Sequence, residues 1–264
     1  MYQHGQLSQD RAKVVELFGR GCDLNDAEAC VQVGALHLRG EGTPADAKTA
    51  ARFMQRACEH DPRFGCYDLG VLYQTGQGVK QDNARAFELA RKACDAGALS
   101  GCQNLATFWM MGKGTQRDVK QALPLLEKVC GAQSAEPREA QAVASACHNL
   151  GVLFSQEDGV QQDLPRAAEL FASGCSGGDY LSCHNLGLAY LNGLGVPRDP
   201  PKAVELFQKA CVGDAPSCTN LGVLYIEGVV VPPDRGKAID LFKRACEGGS
   251  NAACANLKDI APGK

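Results

Sequence analysis

Cysteine is the residue whose number and spacing could do chemistry in this chain. Fourteen of the 264 residues are cysteine. They fall in seven pairs: Cys22 with Cys30, Cys58 with Cys66, Cys94 with Cys102, Cys130 with Cys147, Cys175 with Cys183, Cys211 with Cys218 and Cys246 with Cys254. Within a pair the separation is eight residues in five cases, seven in one and seventeen in one. The leading members Cys22, Cys58, Cys94 and Cys130 recur every thirty-six residues; the step to Cys175 is forty-five, and thirty-six and thirty-five follow. Two chemistries compete. Seven disulfides would belong to an oxidising compartment. Structural zinc would need four ligands, usually with C-x2–4-C spacing, which pairs eight apart and one per period fit poorly. No C-x-x-C or C-x-x-C-H occurs, so thiol–disulfide catalysis and c-type haem attachment have no motif.

Other catalytic patterns are missing. There is no HExxH, no P-loop lysine motif and no G-x-S-x-G, and the glycine pairs follow helical rather than strand patterns, which excludes the dinucleotide setting of GxGxxG. We expect no cofactor and no metal site. A net charge of −3 and 6% aromatic residues argue against nucleic acid, which needs a basic face or stacking platforms. No run approaches eighteen consecutive apolar residues, so no membrane span is expected. Met1 to Asp10 is polar and lacks the apolar core of a signal peptide, and a removed leader is the expectation that reconciles this with the cysteines.

The elements that hold the cysteines repeat with them. Each trailing cysteine opens a variant of C-x-N-L-G-x-x-Y, as in Cys183-His184-Asn185-Leu186-Gly187 with Tyr190. Each leading cysteine closes a variant of K-A-x-x-L-F-x-x-A-C, as in Lys202-Ala203 to Ala210-Cys211. A glycine turn lies between, as in Gly76-Gln77-Gly78 and Gly193-Leu194-Gly195. Ala203, Leu206, Phe207 and Ala210 stand at i, i+3, i+4 and i+7, one helical face. Leu186, Gly187 and Tyr190 share a face of the other segment. Each unit is therefore helix A, glycine turn, helix B. Glycine ends helix A, and Asp82, Asp118, Asp163, Asp199 or Asp234 supplies an N-cap or first-turn acid for helix B. Gly70, Gly151, Gly187 and Gly222 let a neighbouring helix approach, with Tyr73, Trp109, Phe154, Tyr190 and Tyr225 filling space beside them. Stacking builds the core, because neither helix can bury its stripe alone.

The combined pattern A-x-x-L-G-x-x-Y-x-x-G-x-G-V, then D-x-x-K-A-x-x-x-[FY]-x-x-A, resembles the Sel1-like repeat, a relative of the tetratricopeptide repeat. The cysteine pairs resemble the Helicobacter cysteine-rich branch of that family. The resemblance implies an all-α, right-handed α/α solenoid of about seven disulfide-linked repeats, here one domain over 8–260. The chain opens on a lone helix B, Ala12 to Cys22, and carries an insertion, 131–146, that either extends a helix A or forms a surface loop. Helix ends joined by a seven-residue connection can bring cysteine Cα atoms to the about 4.4–6.8 Å a disulfide needs, so each pair is expected to link a helix B to the next helix A.

The resemblance also implies β-lactam chemistry, since the cysteine-rich branch is linked to penicillin binding and hydrolysis. No serine here is followed by lysine at the third position, so the S-x-x-K signature is absent. Cell-wall fragments stay among the candidate ligands by resemblance alone. The favoured expectation is a binding module for a protein or peptide, periplasmic or secreted; a mitochondrial intermembrane-space assembly factor is the alternative setting. Asn104, Asn149, Asn185, Asn220 and Asn256 occupy one helix A position. They either line a concave groove, as the resemblance implies, or satisfy the scaffold. Variable positions on that face carry specificity: Tyr67, Gln103, His148, His184 and Thr219 one past the cysteine, and pairs such as Ser155 and Gln156 eight or nine past it. His148 and His184 are expected as surface residues on the groove side, roughly 10 Å apart across stacked helices and too far for one metal.

Overall fold

The computed structural model describes residues 2–157 and 159–260, with side chains from residue 10 onward. These residues form fourteen α-helices in an all-helical fold: α1 (Tyr2–Asp23), α2 (Ala27–Arg39), α3 (Ala47–His60), α4 (Pro62–Thr75), α5 (Asn83–Asp95), α6 (Leu99–Met111), α7 (Val119–Cys130), α8 (Pro137–Ser155), α9 (Leu164–Ser176), α10 (Tyr180–Asn192), α11 (Pro200–Ala210), α12 (Ala215–Glu227), α13 (Arg235–Glu247) and α14 (Asn251–Ile260). Even-numbered helices are the A type and odd-numbered ones the B type. They group into two compact units, Met1–Val129 and Cys130–Lys264. No helix is long and apolar enough to cross a membrane among the described residues.

Aspartates start the helices. As expected for helix B, the side chains of Asp82, Asp163, Asp199 and Asp234 accept from Arg85, Arg166, Lys202 and Lys237 N–H, and Asp118 accepts from Lys120 and Gln121 N–H. Asp46 does the same for α3. The structure adds a second set on helix A: Asp26, Asp61, Asp179 and Asp214 cap α2, α4, α10 and α12. Each cap satisfies a backbone donor with no helical partner and contributes about 1 kcal/mol.

Glycine closes α2, α4, α6, α10 and α12, whereas α8 ends on Gln156 in an extended conformation. Gly76 ends α4 in the left-handed region at φ 74°. Two residues on, Gly78 has φ 71°, and a Cβ there would lie 2.0 Å from Ala47 O, at the start of α3. Gly195 stands in the same relation to Leu164 O of α9, at 2.2 Å. Only glycine fits both the dihedral and the contact.

The helix A glycines receive the following helix B as expected. A Cβ on Gly151, Gly187 or Gly222 would stand 2.7, 2.8 or 2.6 Å from the ring of Phe171, Phe207 or Phe242. Those rings are 5%, 0% and 1% exposed. The large residues beside the glycines carry a further contact. Arg85, Arg166, Lys202 and Lys237 stack on Tyr73, Phe154, Tyr190 and Tyr225 at 4.1–5.3 Å from the ring centroid. Trp109 packs edge-on against Phe87 instead.

The 131–146 segment resolves chiefly into helix. Helix α8 has nineteen residues where α6 and α10 have thirteen; aligned on the cysteine, its first seven residues, 137–143, lengthen helix A, and 131–136 connect it to α7.

Candidate functional site

All seven cysteine pairs are disulfides, and no described cysteine is free. Cys22 is bonded to Cys30, Cys58 to Cys66, Cys94 to Cys102 and Cys130 to Cys147. Cys175 is bonded to Cys183, Cys211 to Cys218 and Cys246 to Cys254. Each bond joins the end of a helix B to the helix A that follows it, with Cα atoms 4.3–4.8 Å apart. The trailing sulfurs are deeply placed: Cys30, Cys66, Cys102, Cys147, Cys183 and Cys218 are all buried, whereas Cys254, in the last helix, is half-buried. The disulfide reading of the pairs is the one the structure shows; zinc would require thiolates, and these sulfurs are bonded to one another. Seven disulfides fit an oxidising, extracytoplasmic compartment.

Cations tie four of the disulfide turns to the one that follows. Arg56 donates to Cys22 O at 2.9 Å, Lys92 to Cys58 O at 3.3 Å, and Lys209 to Cys175 O at 2.9 Å. Arg244 reaches Val212 O at 3.4 Å. Each donor stands two residues before a leading cysteine and satisfies a carbonyl at the end of the preceding helix B. Its sequence signal is the basic residue of Arg56-Ala57-Cys58, Lys92-Ala93-Cys94 and Lys209-Ala210-Cys211, a signal overshadowed by the cysteines themselves.

The position after the trailing cysteine behaves differently from expectation. In the first unit, Val31 is buried and Tyr67 packs into the core around Met54 and Leu69. Gln103 bonds Thr107 on its own helix at 3.2 Å. In the second unit the position reaches the start of the next helix A. His148 Nδ1 lies 3.5 Å from Asp179 Oδ1. His184 Nδ1 lies 3.0 Å from Asp214 Oδ2 and 2.7 Å from Ser217 Oγ. Thr219 Oγ1 lies 3.0 Å from Ser250 Oγ. The expectation of surface histidines is corrected: the side chains of His148 and His184 are 14% and 16% exposed, packed at 5.9 and 5.8 Å from the rings of Phe171 and Phe207. The cause is the neighbouring glycine, three residues on, which draws the phenylalanine against the imidazole.

Burial holds both imidazoles below the ordinary histidine range. For His148, desolvation is opposed by the Asp179 carboxylate and reinforced by His184; for His184, desolvation outweighs the attraction and hydrogen bond of Asp214. Histidine, aspartate and serine thus meet in one place, but not as a nucleophilic relay. A relay needs the serine on one ring nitrogen and the carboxylate on the other. Here Asp214 and Ser217 address the same Nδ1, and Ser217, fully buried, sits in the first turn of α12, whose cap Asp214 accepts from its N–H at 2.8 Å.

The asparagine row is not uniform. Asn104 is 9% exposed, and its Nδ2 has no hydrogen-bond partner, so internal satisfaction fails there. Asn149, Asn185 and Asn220 are half-buried. Asn185 borders a recess of about 300 Å³ between α8, α9 and α10. The recess also contains Ser155 and Gln156, over apolar surface that includes Ala168, Phe171 and Leu188, and no charged side chain lines it. The fold therefore joins three of the expected face positions in the second unit. Tyr67, Gln103 and Asn104 stand in the first unit, outside this recess.

A helical hairpin repeat with this glycine and cysteine framework defines a class, the α/α repeat proteins of the tetratricopeptide kind. The Sel1 repeat profile matches residues 1–26, 27–62, 64–97, 99–130, 144–179, 181–211 and 215–250, and the chain belongs to the Sel1 repeat family. It is similar to a protective antigen present in uropathogenic Escherichia coli strains that displays the same repeat fold, with 25% identity and a TM-score of 0.71 over 93% of this chain; it spans about half of that protein, 51%. It is also similar to a Sel1 repeat protein from Oxalobacter formigenes, at 22% identity and TM-score 0.73, over 84% of this chain and 85% of that one. Cysteine rich protein B of Helicobacter pylori matches at 29% identity over 48% of this chain and 92% of its own, with a TM-score of 0.40. No curated protein matches in sequence. Repeats of this family generally serve as protein-interaction modules. Nothing in these likenesses supports the β-lactam-directed or mitochondrial alternatives.

Proposed function

We propose that the chain binds an extended segment of a protein partner along its helix A faces, in the periplasm or outside the cell, with the α8–α10 recess as an anchoring point. The observation that carries this reading is the recess itself. It sets three uncharged hydrogen-bonding side chains, Ser155, Gln156 and Asn185, around an apolar floor. Such a surface suits a peptide whose backbone is read by amides and whose apolar side chain enters the recess. Disulfides fix each hairpin before binding, which lowers the ordering cost. Asn149 and Asn220 are the neighbouring face positions in this unit, both half-buried, whereas His184 and Thr219 bond within the scaffold.

The test is selection of extended peptides from a phage-displayed library against the oxidised protein, followed by binding to two variants. Selected peptides should share an uncharged apolar residue. Asn185→Ala, and Gln156→Trp placing an indole over the recess, should each weaken binding by roughly tenfold, about 1.4 kcal/mol. Binders indifferent to both variants would remove the recess from the reading.

A further inference from the structure

We infer that His148 and His184 form an acid-sensitive latch in the second unit, which at neutral pH holds the start of each helix A to the helix A before it and lets go on acidification. The geometry is repeated in sequence order. The His148 ring of α8 faces Asp179, which caps α10 by accepting from Ser182 N–H at 2.6 Å. The His184 ring of α10 faces Asp214, which caps α12 by accepting from Ser217 N–H. Asp214 therefore serves two donors, the Ser217 amide of its own helix and the His184 ring of the preceding repeat, whereas Asp179 caps its helix and stands 3.5 Å from the His148 ring without a hydrogen bond to it. Thr219 and Ser250 continue the contact from α12 to α14 without a titratable group.

Around the rings, the charged and titratable groups are few. His148 is faced by Asp179 and, more distantly, by His184; His184 is faced by Asp214. The rings also pack against the apolar rings of Phe171 on α9 and Phe207 on α11, and His184 meets the hydroxyl of Ser217. A neutral imidazole is stable in that setting, and that of His184 donates its Nδ1 proton to the Asp214 carboxylate. A second proton, at Nε2, makes a cation walled by phenylalanine. One carboxylate does not replace the lost hydration, so burial wins. The sign follows. The folded values lie below the unfolded one, so the unfolded or opened chain binds protons more readily between them. Stability is fully present above about pH 6.5 and is lost as pH falls through the lowered folded values. Opening frees the ring to water and breaks its contact with the cap. The His148 contact opens first: at 3.5 Å it is longer, and its Nδ1 has no hydrogen-bond partner.

The decisive experiment is hydrogen exchange on the full oxidised chain at pH 7.5 and pH 5, expressed as protection factors so that intrinsic rates cancel. Helices α4 and α6 contain no histidine and are the internal control. Protection in α10 and α12, at Ser182 and Ser217 above all, should fall roughly tenfold more than in the control, and His184→Asn, which keeps a donor but cannot charge, should abolish the excess at α12. Equal behaviour of the two regions, or an unchanged response in the variant, overturns the latch. Should the variant not fold, the ring-proton titration of His148 and His184 in the unaltered chain decides. Midpoints below the ordinary histidine value sustain the latch, and midpoints at or above it overturn it.

Discussion

The two units share the disulfide at each turn from helix B to helix A and the aspartate cap of helix B, yet they connect their repeats by different means. In the first, the helix A glycines meet aliphatic residues: Gly34 faces Met54, and Gly70 faces the backbone and Leu89 of α5. The residue after the cysteine is Val31 or Tyr67, which adds apolar surface, or Gln103, which bonds Thr107 on its own helix. In the second, Gly151, Gly187 and Gly222 each hold a phenylalanine, and the residue after the cysteine bonds the start of the next helix A. One framework thus accepts an apolar or a polar joint at a fixed position. The polar joint is directional and titratable, and the apolar one is neither. The cation contact occurs in both units, at Arg56 and Lys92 in the first and Lys209 and Arg244 in the second.

Four experiments probe that contrast, beginning with its common ground. Each disulfide closes eight or more residues and contributes about 2.5 kcal/mol or more in the loop-entropy view, and seven together exceed the about 5–15 kcal/mol by which domains are usually stable. Full reduction should therefore unfold both units at 37 °C, read as loss of the helical circular dichroism signal; retention in one unit would show that its apolar packing suffices. Phe207→Ala removes a fully buried ring and should cost about 3–5 kcal/mol in denaturant unfolding, against about 2–4 kcal/mol for Met54→Ala at the matching place in the first unit. Equal losses would erase the packing difference. Asp214→Ala leaves the Ser217 amide and His184 without their acceptor and should cost about 2 kcal/mol, whereas Asp61→Ala loses only a cap, about 1 kcal/mol. Smallest are Lys92→Met and Lys209→Met. Each removes one cation contact, and each should cost about 0.5–1 kcal/mol and the same in both units; a difference would show that this contact too is unit-specific.

Much of this is readable from local pattern. The cysteine period, the glycine pairs and the apolar spacing all report interactions within one hairpin, between residues close in sequence. The caps of helix B are legible for the same reason: Asp199 and Lys202 are three residues apart. The helix A caps Asp179 and Asp214 are harder to see, because each falls in a short turn beside a more conspicuous cysteine pair. The position after the cysteine misleads, since its variability resembles that of a free surface.

The order of residues was enough to set the class of fold, the seven pairings from Cys22–Cys30 to Cys246–Cys254 and the ends of most helices, because helix period, αL glycine and short disulfide loops are local rules. Packing between helices settled the rest: that His148 and His184 are buried, that they share Asp179 and Asp214 with helices thirty or more residues away, and that Ser155, Gln156 and Asn185 border one recess. Those outcomes depend on which glycine admits which phenylalanine between stacked helices. That is a matter of packed volume, and no single-helix pattern encodes it.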